Sequence, residues 1–252
     1  MSSFTALGWR ASAAGGATRL GRAAARAPEA AHAAVPEDAQ AAAPAPPSPA
    51  PARIRRLGPP DRASAAHVAR AAFLGNPFYH AALGLDARQF SAYWDEFLRL
   101  ALGDPRARVF GAQAGGCLAG VLVACVDGFP SGGRTAAYLA ALVRRIGPRA
   151  ALRYLRFVSA YERAMHRPRV PGEAEARGLW LMADPRAAVR VGPALVRAAI
   201  EAVRAEGCTL YTGFVDAGNE RLLDFYRRQG FVVGPRFPFA GGWAAVVERR
   251  SC

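Results

Sequence analysis

The last third of the chain alternates between strand-like and helix-like segments, and this restricts the fold more than any other feature. Gly178 to Ala183 reads as a strand, Pro193 to Glu206 as a helix and Cys208 to Val215 as a strand. Asn219 to Gln229 reads as a second helix, and Phe231 to Phe237 and Trp243 to Glu248 as two more strands. Strand–helix–strand–helix order calls for an α/β sheet with parallel neighbours, because each crossover helix returns the chain to the same end of the sheet.

Upstream, Arg53 to Leu57 reads as a short strand, and Gly58-Pro59-Pro60-Asp61 as a turn whose Asp61 caps a helix running to about Phe73. Phe90, Tyr93, Trp94, Phe97, Leu98 and Ala101 form one apolar stripe at helical spacing, which Asp104-Pro105 ends. Arg108 to Ala112 is a strand. Cys117 to Val126 is nearly all apolar, as expected of a strand buried on both faces. Ala136 to Met165 is helical with a break at Gly147-Pro148. One stripe there is Leu139, Leu142, Val143 and Ile146; another is Leu152, Leu155, Val158 and Tyr161. Arg144, Arg145, Arg149, Arg153 and Arg156 crowd the polar side. Such a basic amphipathic pair either packs on its own domain or lies on a membrane surface; we adopt the first reading. His166 to Ala176 reads as a polar loop.

Residues 1 to 52 are rich in Ala, Pro, Gly and Ser, and Ala41 to Ala52 holds five prolines. A segment of this composition buries too little apolar surface to offset its ordering entropy. We therefore expect a disordered Ala/Pro/Arg-rich tail over 1–52 and one folded domain over 53–252. Arg10, Arg19, Arg22 and Arg26 with no acid before Glu29 also fit a targeting segment, and a misplaced start is a third reading.

The formal charge is +14, yet the chain has no lysine, so all 33 basic residues are arginine and lie scattered along it. That distribution disfavours nucleic acid as the main partner and suits an anionic cofactor or substrate. Cys117, Cys125, Cys208 and Cys252 form no metal-binding spacing with the histidines, so we expect no metal and reduced, buried thiols in a cytoplasmic protein. No apolar run is long enough for a membrane span.

Two segments carry chemistry. The stretch Leu179 to Pro185 ends a strand, and Arg186 to Gly192 leads into a helix. Free N–H groups at a helix start attract an anion, typically a pyrophosphate, and Arg186 and Arg190 add charge there. The second segment is Asn219-Glu220-Arg221-Leu222-Leu223-Asp224-Phe225-Tyr226-Arg227-Arg228-Gln229-Gly230-Phe231. With the strand and helix before it, this segment resembles the end of the GNAT N-acetyltransferase fold: Asn, an aromatic-Tyr pair, then Gly-Phe. The resemblance extends from Arg53 to Glu248. The two helices ending in Met165-His166-Arg167-Pro168 look like the puromycin N-acetyltransferase-like branch.

The resemblance implies a mixed, mostly antiparallel twisted sheet flanked by helices, with a helical insertion before the fourth strand. It implies acetyl-CoA as acyl donor. The strand Trp180 to Ala183 splays from its neighbour, so the backbone of Leu181, Met182 and Ala183 pairs with the pantetheine arm. Ala187, Arg190, Val191 and Gly192 wrap the pyrophosphate. Asn219 lies near the pantetheine or orders the loop before its helix, and Tyr226 protonates the leaving thiolate. Read from the residues alone, Asn219 is also a sufficient helix N-cap, and Tyr226, on one face with Leu222 and Leu223, is also a core position. Glu173, Glu175 and Asp184 are candidate bases. Tyr79, His80, Tyr93 and Trp94 line the acceptor side or belong to the core.

The phosphate loop departs from the family pattern of Gln/Arg, two residues, Gly, one residue, Gly/Ala. Ala187 and Arg190 stand at its first and fourth positions, only Gly192 matches, and Pro193 removes one N–H. Two expectations follow: an acyl-CoA-dependent N-acyltransferase acting on a primary amine of a small molecule or protein, or a catalytically degenerate binding module of the same fold. The oligomeric state stays open, a homodimer included.

Overall fold

The computed structural model describes residues 52–250 apart from 74, 77, 79–82, 128, 169 and 188–189. The expected tail, but for residue 52, lies outside the described residues, as do Tyr79, His80 and Cys252. The elements are β1 (Arg53–Arg56), a 3-10 turn (Pro59–Asp61), α1 (Arg62–Phe73), α2 (Ala87–Gly103), β2 (Ala107–Ala114) and β3 (Cys117–Val126). Then come α3 (Arg134–Ile146), α4 (Pro148–Ala164), β4 (Glu175–Ala183), α5 (Gly192–Ala205) and β5 (Leu210–Asp216). The chain ends with α6 (Glu220–Arg228), β6 (Val232–Val233), β7 (Phe237–Phe239) and β8 (Gly242–Arg250).

All eight strands form one sheet in the order β1-β2-β3-β4-β5-β8-β6, with β7 on β8. Only β4 and β5 pair in parallel; the other pairs are antiparallel. This is the mixed, mostly antiparallel sheet that the resemblance implied. The parallel neighbours expected from the strand–helix order reduce to one pair. The α6 crossover does make β6 run parallel to β5, but β8 inserts between them.

Each face of the sheet has its own core. One holds α1 to α4, built on Phe90, Trp94, Leu98 and Leu142; the other holds α5 and α6, built on Leu195, Val196 and Leu223. Strand β3 serves both: Val121 and Val123 point to the first core, Leu122 and Ala124 to the second. That is why its sequence is apolar without alternation. Tyr93 and Trp94 are core residues, at 1% and 0% exposure. Helix α2 starts earlier than its stripe, because Asp86 and Gln89 form a reciprocal capping box at 2.8 and 3.2 Å.

Several expectations change. Strand β4 begins at Glu175, not Gly178, because Thr212 of β5 and Arg177 both donate to Glu175 at 2.7 and 3.1 Å. The strand expected over Phe231 to Phe237 is two, β6 and β7, divided at Gly234-Pro235, where proline has no N–H for a ladder. Helix α4 buries Ala150, Ala151 and Tyr154 and leaves Leu152 and Leu155 exposed, so only Val158 and Tyr161 of the second predicted stripe turn inward. Cys117 is exposed, since it leaves the Gly115-Gly116 turn; Cys125 and Cys208 are buried, and burial pushes the Cys125 thiol up to about 12. Among the described residues no helix is long and apolar enough to cross a membrane.

Asp61 lies inside the 3-10 turn and, among the described residues, makes no capping bond to an α1 amide. Its carboxylate takes Arg55 in a fork at 2.6 and 3.0 Å and also accepts from the Gly58 N–H at 2.9 Å, tying β1 to the turn before α1. These donors, the Arg55 guanidinium first, hold Asp61 down at about 2. A depressed folded pKa contributes stability above the ordinary carboxylate range that is lost as pH falls toward 2. Urea melts of Asp61→Asn at pH 7 and pH 2 should therefore show a clear loss at pH 7 that nearly vanishes at pH 2.

Candidate active site

The site is a gap in the sheet. Strands β4 and β5 pair only from Glu175↔Leu210 to Gly178↔Gly213. Beyond that, β4 stays with β3 as far as Ala183↔Gly120, and β5 stays with β8 as far as Asp216↔Ala244. Two local features part them. The register of β3 and β4 shifts between Val123 and Ala124, which leaves Leu179 as an extra residue and bends β4. At Gly178, a Cβ would lie 2.5 Å from the Tyr211 hydroxyl oxygen, so glycine makes room for that phenol at the foot of the gap. Above it is a cleft of about 190 Å3 lined by Trp180, Leu181, Phe214, Asp216, Asn219 and Tyr226, with Tyr211 at its base.

Beyond Gly178, β4 has no strand among the described residues on the edge that faced β5. That edge could pair with an extended ligand arm in the manner of an added strand. Of the three residues predicted to do so, Leu181 lines the cleft and Ala183 is exposed, whereas Met182 is wholly buried and offers only its backbone.

The start of α5 lies beyond the end of β4. Asp184 turns the chain by accepting the Arg186 N–H at 2.9 Å on its side chain and the Ala187 N–H at 3.0 Å on its carbonyl. That places Asp184 in a turn rather than in the cleft. Val191 precedes the helix and is buried against β3; a Cβ on Gly120 would come within 2.5 Å of its Cγ2. No side chain caps α5, so its first amides stay open to an anion, less the one that Pro193 lacks. Gly192 sits close to Phe225, whose ring would be 3.4 Å from a Cβ there. Arg186 and Arg190 are exposed. Ala188 and Val189 lie outside the described residues.

By contrast, α6 is capped: the Asn219 side-chain oxygen accepts the Leu222 N–H at 3.1 Å. Asn219 also lines the cleft, so its two readings coexist. Tyr226 lies about two helical turns further on, its ring edge-on to Phe225 and Phe231 with centroids 5.1 and 5.2 Å away. Its hydroxyl has no hydrogen-bond partner among the described residues, and burial raises its pKa to about 12. Burial raises Tyr211 well above its ordinary value too.

The carboxylates sort clearly. Glu173 is held by Arg167 at 2.7 Å and Arg250 at 2.5 Å, and Glu175 by Arg177 and Thr212. Neither lines the cleft; Asp216 does, with one oxygen accepting the Gly218 N–H at 2.9 Å. Sequence reading missed Asp216 and Tyr211. Their only signal was alternation along β5, which says that two residues share a face but not that a neighbouring strand has left. Among the described residues no group of three or more His, Cys, Asp or Glu side chains could hold a metal.

Because Gly120 lets Val191 anchor α5, Gly120→Ala should lower stability by about 1–3 kcal/mol in urea titration. It should also weaken anion binding at the helix start, measured by calorimetry with a nucleotide-bearing ligand.

Residues 154–231 match the acetyltransferase (GNAT) family model, a span running from α4 through β4, α5, β5 and α6 to the start of β6. No curated protein matches the chain significantly. Among solved structures, one described as histone acetyltransferase HPA2 and related acetyltransferase, from Corynebacterium glutamicum, is similar at 13% identity with a TM-score of 0.53, covering 80% of this chain and 97% of that one. The polyamine N-acetyltransferase of Drosophila melanogaster is similar at 14% identity with a TM-score of 0.53, covering 79% of this chain and all (100%) of that one. At such identities the likeness is one of fold. Residues 154–231 are thus similar to the acetyltransferase (GNAT) family, and the chain shares the fold of these two structures.

Proposed function

We propose that the chain transfers the acetyl group of acetyl-CoA to a primary amine by direct attack in the β4–β5 cleft. The observation that carries this reading is the parting of β4 from β5 with Tyr226 among the residues lining the gap. The free edge of β4 suits the pantetheine arm, and the uncapped start of α5 suits the pyrophosphate, with Arg186 and Arg190 adding charge.

Amide formation from a thioester needs an unprotonated amine, a polarised carbonyl and a proton for sulfur. In this reading the amine nitrogen attacks the carbonyl carbon, and the free β4 amides steady the oxygen. Asp216, through a water, takes the proton that the nitrogen loses. As the carbon–sulfur bond breaks, Tyr226 hands its proton to sulfur and recovers one from solvent. With a pKa of about 12, Tyr226 stays protonated throughout the working range. The pH profile of kcat/KM should therefore rise as amine and base deprotonate and show no falling limb below about pH 11 from this phenol.

A second reading keeps the fold as a binding module without catalysis. Arg190 at a glycine position and Pro193 at the helix start favour it, since both reduce backbone donation to phosphate. Calorimetric titration with acetyl-CoA separates the two; absence of binding at millimolar ligand sinks the enzyme reading. Given binding, Tyr226→Phe should lower kcat about 100-fold while the Kd for acetyl-CoA moves by no more than about threefold. Unchanged turnover would remove Tyr226 from the proton path. Asp216→Asn should lower kcat/KM at neutral pH by at least about tenfold, and equal rates would leave the base unassigned to Asp216.

A further inference from the structure

Helix α4 carries charge that nothing among the described residues neutralises. Arg153 and Arg156 stand three residues apart on one face and make no hydrogen bond or ion pair among the described residues. The single acid of α4, Glu162, is already bound by Arg177 at 3.0 Å. The two arginines line a recess of about 270 Å3 whose floor is Leu83, Phe157 and Phe239, and no carboxylate lines it among the described residues. The recess is built around Arg153. Gly84, at φ +61°, has no Cβ, and one placed there would come 2.9 Å from both Cδ and Nε of Arg153. The loop therefore lets that side chain lie across it.

The recess borders the cleft. Phe239 lines the recess and packs edge-on to Phe214, with ring centroids 4.7 Å apart, and Phe214 lines the cleft. Phe157 backs Phe239 from α4 at 5.5 Å. One aromatic partition thus separates two unpaired guanidinium groups from Asp216. Guanidinium groups above an apolar floor bind a carboxylate or phosphate more strongly than in open water, because the floor excludes solvent on one side.

We propose that this recess holds the anionic end of the acceptor, so that the substrate is a chain with an amine at one end and a carboxylate or phosphate at the other. The amine reaches Asp216 over the edge of Phe239. This rests on the acyl-transfer reading above and adds the acceptor class to it.

The test uses the full chain with acetyl-CoA and three acceptor series of stepped length: ω-aminoalkanoates, ω-aminoalkylphosphonates and plain alkylamines, scored by thiol release. One anionic series should exceed the alkylamines in kcat/KM by about tenfold or more, mainly through KM, and the preferred series names the anion. Arg153→Gln and Arg156→Gln should each cut that preference about tenfold. Equal use of all three series, or a preference that survives both substitutions, overturns the proposal. Calorimetry with 6-aminohexanoate and 6-aminohexylphosphonate, without acetyl-CoA, keeps the two readings apart. Binding that is lost in the double variant, with no transfer, would uphold the anion site and refute acyl transfer. Transfer to amines without any preference for the anionic series would do the reverse.

Discussion

Everything proposed for this protein depends on a ladder that stops. Four residue pairs hold β4 to β5, and then each strand keeps its outer neighbour and loses its inner one. Parting two central strands leaves backbone donors and acceptors unpaired, which ordinary folds avoid. Here the cost is contained. The bulge at Leu179 bends β4 where it is firmly paired to β3, and Gly178 leaves space for the Tyr211 ring. The unpaired edge is short.

The two cores hold the gap open from opposite sides. On one face Trp180 packs edge-on to Trp94 and Phe73, with centroids 4.9 and 5.4 Å away, and this fixes β4 against α1 and α2. On the other, Val191 locks the start of α5 to β3 through Gly120. Aromatic pairs of this kind contribute about 0.5–1.5 kcal/mol each beyond their area burial. Both contacts tie the arms of the cleft to rigid parts of the sheet, so the site is shaped before any ligand arrives.

The arginine-rich composition divides into two uses. Some arginines hold carboxylates in place, as Arg55 holds Asp61 and as Arg108 takes Glu206 through two contacts of 2.5 Å that tie β2 to the end of α5. Others, among them Arg153 and Arg156 on α4 and Arg186 and Arg190 before α5, pair with no acid among the described residues.

The element types were legible in the sequence because each rests on a local period. The apolar run of β3, the α2 stripe, the Gly147-Pro148 break and the Asn219 cap announce themselves within a dozen residues. The Asn219 to Phe231 spacing also pointed to the family. Only tertiary structure decided which strands are parallel, where β4 and β5 part, and which carboxylates stay away from the cleft. The alternation of β5 puts Gly213 and Val215 on one face, but says nothing about the neighbour that departs after Gly178. Glu173 and Glu175 looked like bases until Arg167, Arg250 and Arg177 were brought to them from distant segments. Local periodicity fixes what an element is; long-range contacts decide what its side chains face, and the chemistry of this site depends on the second.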